Sequence, residues 1–145
     1  MTQETQLCTF FLDQLFFGIE VEKVQEVIRY QEMTRVPLAP PVVAGLINLR
    51  GQIVTAIDLR RRLDLCDRAI EQLPLNVIVR TSDETASLLV DEIGDVLEVS
   101  EDDFETPPDT FNSKVRPLIR GAYKLKERLL LFLDVDKVVD FTAIQ

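Results

Sequence analysis

The chain reads as an all-β protein with one or two short helices. Three observations carry that reading. Apolar runs of strand length recur along the sequence, seven prolines cut it into short pieces, and helical periodicity is weak and brief. Many short strands with proline-rich connections point to a barrel or a sandwich.

Taken in order, residues 7–12 read as a strand and 16–21 as a second, with Asp13-Gln14 as the hairpin turn. Val21, Val24, Val27 and Ile28 recur three or four apart, which allows a turn or two of helix. Prolines 37, 40 and 41 suit an extended segment that enters a strand, and Asn48 to Gly51 reads as a turn with Gly51 free to take positive φ. Residues 53–57 are rich in β-branched side chains, and 59–63 have room for one helical turn capped by Asp58. Further strands are read at 76–80, 87–90, 96–99 and 129–134, the last of which is apolar enough to be buried on both faces.

An internal echo runs through this pattern. Gly45-Leu46-Ile47-Asn48-Leu49, then 53–57, then Asp58, matches Gly121-Ala122-Tyr123-Lys124-Leu125, then 129–133, then Asp134, always 76 residues later. Residues 21–27 match 90–96 at an offset of 69. Two copies of one small β unit explain both matches. Neither copy alone buries much surface, so the two are expected to pack along a shared seam.

Length and composition bound the function. At 145 residues and about 150 per domain, the chain is one domain or two very small ones. Its net charge of −9 argues against nucleic acid and against an anionic membrane surface. Histidine is absent, which excludes Ser-His-Asp and Cys-His catalysis and histidine-based metal sites. Cys8 and Cys66 form no CxxC motif and are read as reduced, buried thiols. There is no signal-peptide pattern, and the longest purely apolar run, 129–133, is far short of the roughly 18 residues of a membrane span, so a soluble cytoplasmic protein is expected.

The search for chemistry is nearly empty. GxGxxG, GKS/GKT and GxSxG are absent. Residues 91–109 hold nine acids and no base, but Glu101, Asp102, Asp103 and Glu105 lack the glycine and ligand spacing of a calcium loop, so a solvated acidic loop is expected. No catalytic site, cofactor or metal is predicted. A glycosidase cleft and a proline-rich-peptide groove both need aromatics that a chain with no Trp and two Tyr lacks. Arg60-Arg61-Arg62 reads as a solvated helix face, with a docking site for an acidic partner as the alternative. Arg50 is either an exposed arginine on a hairpin tip or a charged anchor beside an apolar groove. Glu26 is a candidate partner for Arg50, and Val24 and Val27 are either core or contact residues.

The block 36–40, then Gly45-Leu46-Ile47-Asn48-Leu49-Arg50-Gly51-Gln52-Ile53-Val54, then Asp58-Leu59-Arg60, closely resembles the CheW family of bacterial chemotaxis coupling proteins. Residues 17–19, 23–27, 90–97 and 129–131 fit the same family in the same order. The resemblance implies two SH3-like five-stranded β-barrels packed side by side. It implies a non-catalytic adaptor between the cytoplasmic tips of chemoreceptors and the histidine kinase CheA, or the equivalent adaptor of a pilus-twitching or other chemosensory pathway. It implies one domain over 1–145, with approximate subdomains 1–80 and 81–145 and strands exchanged at the boundary. Val24, Glu26, Gly45 and Arg50 match receptor-coupling positions, so the receptor-binding set expected here is Val24, Glu26, Val27, Gly45, Asn48, Leu49 and Arg50. The family's receptor surface is a groove between the barrels, and its kinase contact lies on the first barrel, assigned to no single residue. Departures from the family are the glycine-free turn at 123–128 and a short or missing C-terminal helix. No receiver domain is expected to follow.

Overall fold

Short loops fold the apolar runs back on one another. The first pair, β1 (Glu4–Leu12) and β2 (Leu15–Glu20), closes through a two-residue loop in which Asp13 takes a φ of 57°, a left-handed conformation that aspartate tolerates better than most residues. The computed structural model describes residues 4–82, 84–107 and 111–140. Among these, nine more strands follow: β3 (Val24–Ile28), β4 (Val43–Leu49), β5 (Gln52–Asp58), β6 (Leu75–Arg80), β7 (Thr85–Val90), β8 (Glu92–Ser100), β9 (Phe104–Glu105), β10 (Ile119–Lys124) and β11 (Leu129–Leu133). Two four-residue helices, α1 (Leu59–Arg62) and α2 (Val135–Val138), complete the fold.

The strands form two SH3-like sheets, one ordered β8-β1-β2-β11-β10-β9 and the other β3-β6-β7-β5-β4. The two orders are the same pattern. In each, a hairpin (β1-β2 or β6-β7) lies between an edge strand (β8 or β3) and a second hairpin (β10-β11 or β4-β5), and the junction of the hairpins is a parallel pair, β2 with β11 and β7 with β5. Sheet membership does not follow chain order. The first hairpin of each repeat is built into the sheet that the other repeat completes.

Neither sheet closes into a full barrel, and each has its own way of covering the gap. Thr34, beyond β3, makes a single bridge to Leu46 of β4, exchanging N–H and C=O at 2.8 Å. In the other sheet, β8 bends through a 3-10 turn (Glu101–Asp103) into β9, which pairs with β10, so one stretch of chain borders both edges. The acids at 101–105, expected to be a solvated loop, are all exposed, with Glu101–Asp103 in the 3-10 turn and Glu105 in β9. The last acid of the 91–109 segment, Asp109, lies outside the described residues.

The repeat is exact in register over its second hairpin. The pairing shifts between Val43 and Gly45 and again between Ile119 and Gly121. Asp58 N–H donates to the Val42 carbonyl at 2.7 Å, and Asp134 N–H to the Leu118 carbonyl at 2.8 Å. Asp58 then caps α1 and Asp134 caps α2, each side chain accepting from the N–H three residues on, a neutralisation of otherwise orphaned helix donors. The helix expected over 21–28 is a single 3-10 turn (Val21–Lys23) followed by β3. Pairing of β3 with β6 overrides the weak helical spacing.

The largest core cluster lies between the sheets and draws on both, with Phe10 and Phe17 from one and Ile57 and Leu88 from the other. Each such side chain contributes about 1.5–3 kcal/mol by leaving water. Smaller clusters fill each sheet, around Leu7, Phe16 and Leu130 on one side and Ile47, Val54 and Ile78 on the other.

A buried ionic network crosses the same seam. Asp91, the one residue between β7 and β8, pairs with Arg60 of α1, its Oδ1 lying 3.2 Å from Arg60 Nε. Arg68 Nε donates to the same oxygen at 2.9 Å, and the Asp13 N–H donates to Oδ2 at 2.6 Å. The Asp91, Arg60 and Arg68 side chains are 5%, 8% and 9% exposed. Burial pushes the Asp91 carboxyl up, but the bonds from Arg60, the Asp13 backbone and Arg68 outweigh it and hold the group below its ordinary range. Arg62 donates to the carbonyls of Val138 and Lys137 at 2.9 Å, tying α1 to the end of α2. The arginine run is thus not a solvated helix face. Arg60 and Arg62 are structural, and only Arg61 points outward, to Asp67 at 3.1 Å.

Removing the shared acceptor strands two buried cations. Asp91→Ala is expected to lower unfolding free energy by about 3–5 kcal/mol, measured by urea denaturation. Because the folded carboxyl lies below its unfolded value of about 3.9, its contribution is complete above that value and is lost as pH falls through the folded one. Asp91→Asn should accordingly flatten this part of the acid limb of the stability profile.

Candidate functional site

At the turn between β4 and β5 two successive residues take positive φ. Leu49 pairs with Gln52, leaving Arg50 and Gly51 as a two-residue loop with φ of 51° and 90°. Two left-handed residues in succession match the twist of a tight hairpin. Glycine takes that backbone freely, whereas an arginine there costs about 1–2 kcal/mol. The Asn48 side-chain oxygen accepts from the Gly51 N–H at 2.9 Å and braces the turn. Leu49 anchors it from below, 7% exposed in the cluster with Ile47 and Val54. The braced loop drives Arg50 outward, its side chain 66% exposed.

Glu26 lies on β3, at the opposite edge of the same sheet. Curvature of the sheet brings the two edges together, and Arg50 grips the Glu26 carboxylate with both terminal nitrogens, Nη1 to Oε1 at 3.2 Å and Nη2 to Oε2. The hydrogen bond from Arg50 holds the Glu26 carboxyl below its ordinary range, and the reciprocal bond raises the guanidinium. This fork-to-fork ion pair spans the edges above the point where the Thr34 bridge joins them.

Gly45 is what lets that bridge form. A Cβ there would lie 2.8 Å from the Thr34 carbonyl oxygen and 2.9 Å from Met33 Cβ. Its counterpart Gly121 is crossed in the same way by β9, where a Cβ would meet the Phe104 ring and lie 2.8 Å from the Glu105 carbonyl oxygen.

The structure divides the seven expected site residues. Glu26 and Arg50 meet. Val27, the residue after Glu26 on β3, is 44% exposed, and Asn48, two residues before Arg50, is exposed as well. Gly45 and Leu49 are buried and shape the surface from below, and Val24 packs half-buried against the main core. Ile53, opposite Asn48 in the β4-β5 register and 62% exposed, shares the face of Asn48 beside the Arg50 turn. From sequence it is the first residue of the strand read over 53–57 and carries no contact role. An outward isoleucine next to a turn was its only signal.

No group of acids and cysteines suited to a metal ion occurs among the described residues. Both cysteines are free, and Cys66 is exposed rather than buried as expected. Cys8 is half-buried, and burial pushes its thiol up. No helix among the described residues is long and apolar enough to cross a membrane. In the six-stranded sheet, the glycine-free turn closes on a Leu125 N–H to Arg128 carbonyl bond of 3.0 Å. Beside it, Phe11, Phe16, Leu97 and Leu125 line a hollow of about 370 Å³. Arg128 lies over the Phe16 and Phe11 rings there, 5.0 and 5.4 Å from their centroids.

Two glycines separate steric from backbone demands. Gly45→Ala should destabilise by about 1–3 kcal/mol through overpacking against the 33–34 segment, while Gly51→Ala, with open space around it, should cost about 1 kcal/mol from backbone strain alone. Urea melts read both, and loss of amide protection at Thr34 and Leu46 is expected only in the first.

Comparison with known proteins places these features in a family. The family model described as the CheW-like domain matches residues 6–142. The chain is 29% identical to the chemotaxis protein CheW of Treponema pallidum, over 99% of this chain and 86% of that protein. It is 32% identical to CheW of Bacillus subtilis, over 93% and 86%. The crystal structure of the scaffolding protein TtCheW from Thermoanaerobacter tengcongensis superposes with a TM-score of 0.81 at 26% identity, covering 91% of this chain and 90% of that one.

Proposed function

The chain belongs to the CheW-like domain family, and on that premise we propose that it is a non-catalytic adaptor of bacterial chemotaxis, coupling chemoreceptors (methyl-accepting chemotaxis proteins) to the histidine kinase CheA. In this reading it works in the cytoplasm and reaches the membrane only through its partners.

The observation that carries the proposal is the Glu26–Arg50 pair on a braced, outward turn. A bidentate pair fixes two long side chains in one geometry without hiding them. Val27 follows Glu26 on β3, and Asn48 and Ile53 flank the Arg50 turn, so exposed apolar and polar side chains border both members of the pair in the five-stranded sheet. That chemistry suits an amphipathic helical hairpin such as a receptor tip, with Arg50 as the polar anchor. The kinase contact would lie elsewhere on the chain, within the 1–80 subdomain that the family resemblance implies, and is assigned to no single residue. Each contact needs only modest affinity, since many copies held in one array multiply their effect.

Arg50→Glu tests the assignment. Receptor-fragment affinity and receptor-dependent kinase stimulation should both drop roughly tenfold, with the thermal melt close to that of the parent because the pair is solvent-exposed. Undiminished stimulation with a normal melt would count against Arg50 as a receptor contact.

A further inference from the structure

The hairpin exchange has a consequence that goes beyond the adaptor reading and does not depend on it. One repeat spans β1 to β5 and the other β6 to β11, and the only covalent link between them is α1 and the connector 63–74. Four ladders join the repeats: β1 with β8, β2 with β11, β3 with β6, and β5 with β7. The polar ties across the seam also run from one repeat to the other, including Arg60 to Asp91, Arg62 to Val138, Asn76 to the Arg29 carbonyl at 3.1 Å, and Arg120 to Glu20 at 3.1 Å. A lone repeat would leave both hairpins with bare edges and Phe10, Phe17 and Ile57 without cover. The folding unit is therefore the pair of repeats, and nothing in the pairing requires both to come from one chain.

The connector has the character of a hinge. Cys66, Asp67 and residues 69–73 are exposed, with Ile70 at 96% and Leu73 at 60%. Its ends are anchored, with Leu63 and Pro74 buried and the Leu65 N–H donating to the Arg60 carbonyl at 2.7 Å. The exposed stretch between them is held by Arg60 to the Cys66 carbonyl at 3.0 Å, Arg68 to Asp91, Asp67 to Arg61, and Asp64 to Asn112 at 2.8 Å.

We propose that the seam is an interface this chain can form with a second copy of itself. The two chains exchange repeats through the 63–74 hinge into a closed two-fold dimer, in which each pair of sheets takes one repeat from each chain. The intact connector favours the monomer, because it holds the two repeats at a high effective concentration. Shortening it removes that advantage.

Co-refolding at high protein concentration tests the exchange with full-length chains. Arg60→Ala and Asp91→Ala chains each lack one partner of the buried pair in every monomer. In an exchanged heterodimer, one of the two seams recovers both Arg60 and Asp91. Native mass spectrometry of the refolded mixture should show heterodimer in at least severalfold excess over either homodimer, melting above both variants alone. In parallel, deletion of residues 66–73 should convert the chain largely to dimer by light scattering, with unchanged far-ultraviolet dichroism. Heterodimer in the mixture supports the exchange whatever the shortened chain does. A mixture that yields no heterodimer, whether its chains fold as monomers or fail to fold, overturns it.

Discussion

The Asp91 carboxylate sits where the chain passes from one sheet to the other, and it accepts from three donors that arrive from different parts of the fold. Arg60 comes from the helix after β5, Arg68 from the connector, and the Asp13 N–H from the tip of the exchanged hairpin. Burying two guanidiniums on one carboxylate is a poor way to gain raw stability, because desolvation consumes most of the attraction. What the arrangement does supply is a unique docking position. A β1-β2 hairpin shifted by one residue would put the Asp13 N–H out of reach of Asp91 and turn Phe10 and Phe17 out of the core.

That position passes outward to the surface. Once β6 and β7 are seated in the five-stranded sheet, β3 must lie along β6 and β5 along β7. The sheet then curls until its two edges are close enough for a single backbone bridge at Thr34 and a side-chain pair at Glu26 and Arg50. Gly45 permits the first contact by having no side chain, and the left-handed turn at Arg50 and Gly51 aims the second. Buried and exposed members of the proposed site thus have separate tasks. Gly45 and Leu49 build the rim, and Glu26, Val27, Asn48, Arg50 and Ile53 present it.

Much of this was legible locally. The 76-residue echo picked out features that recur because both hairpins solve the same problem: a glycine under a crossing segment, a shift in pairing, and an aspartate that caps a short helix. The turn at Arg50 was visible because Asn48 and Gly51 are the residues such a loop demands. Other features were hidden because their causes lie far away in sequence. The burial of Arg60 depends on a carboxylate 31 residues on, and that of Arg62 on carbonyls more than 70 residues on. The valine spacing over 21–28 fits a helix as well as an edge strand, and only the pairing with β6 decides between them. Composition cannot reveal that the hairpins are exchanged, since it is a fact about which strands meet.

The separation of scaffold from contact surface is most directly measured by amide hydrogen exchange on the full chain, with and without a receptor helical-hairpin fragment. The account predicts slowed exchange confined to β3 and the β4-β5 turn, with the amides around Asp91 and α1 equally protected in both states. Slowing concentrated in the six-stranded sheet, with β3 and the Arg50 turn unaffected, would contradict it.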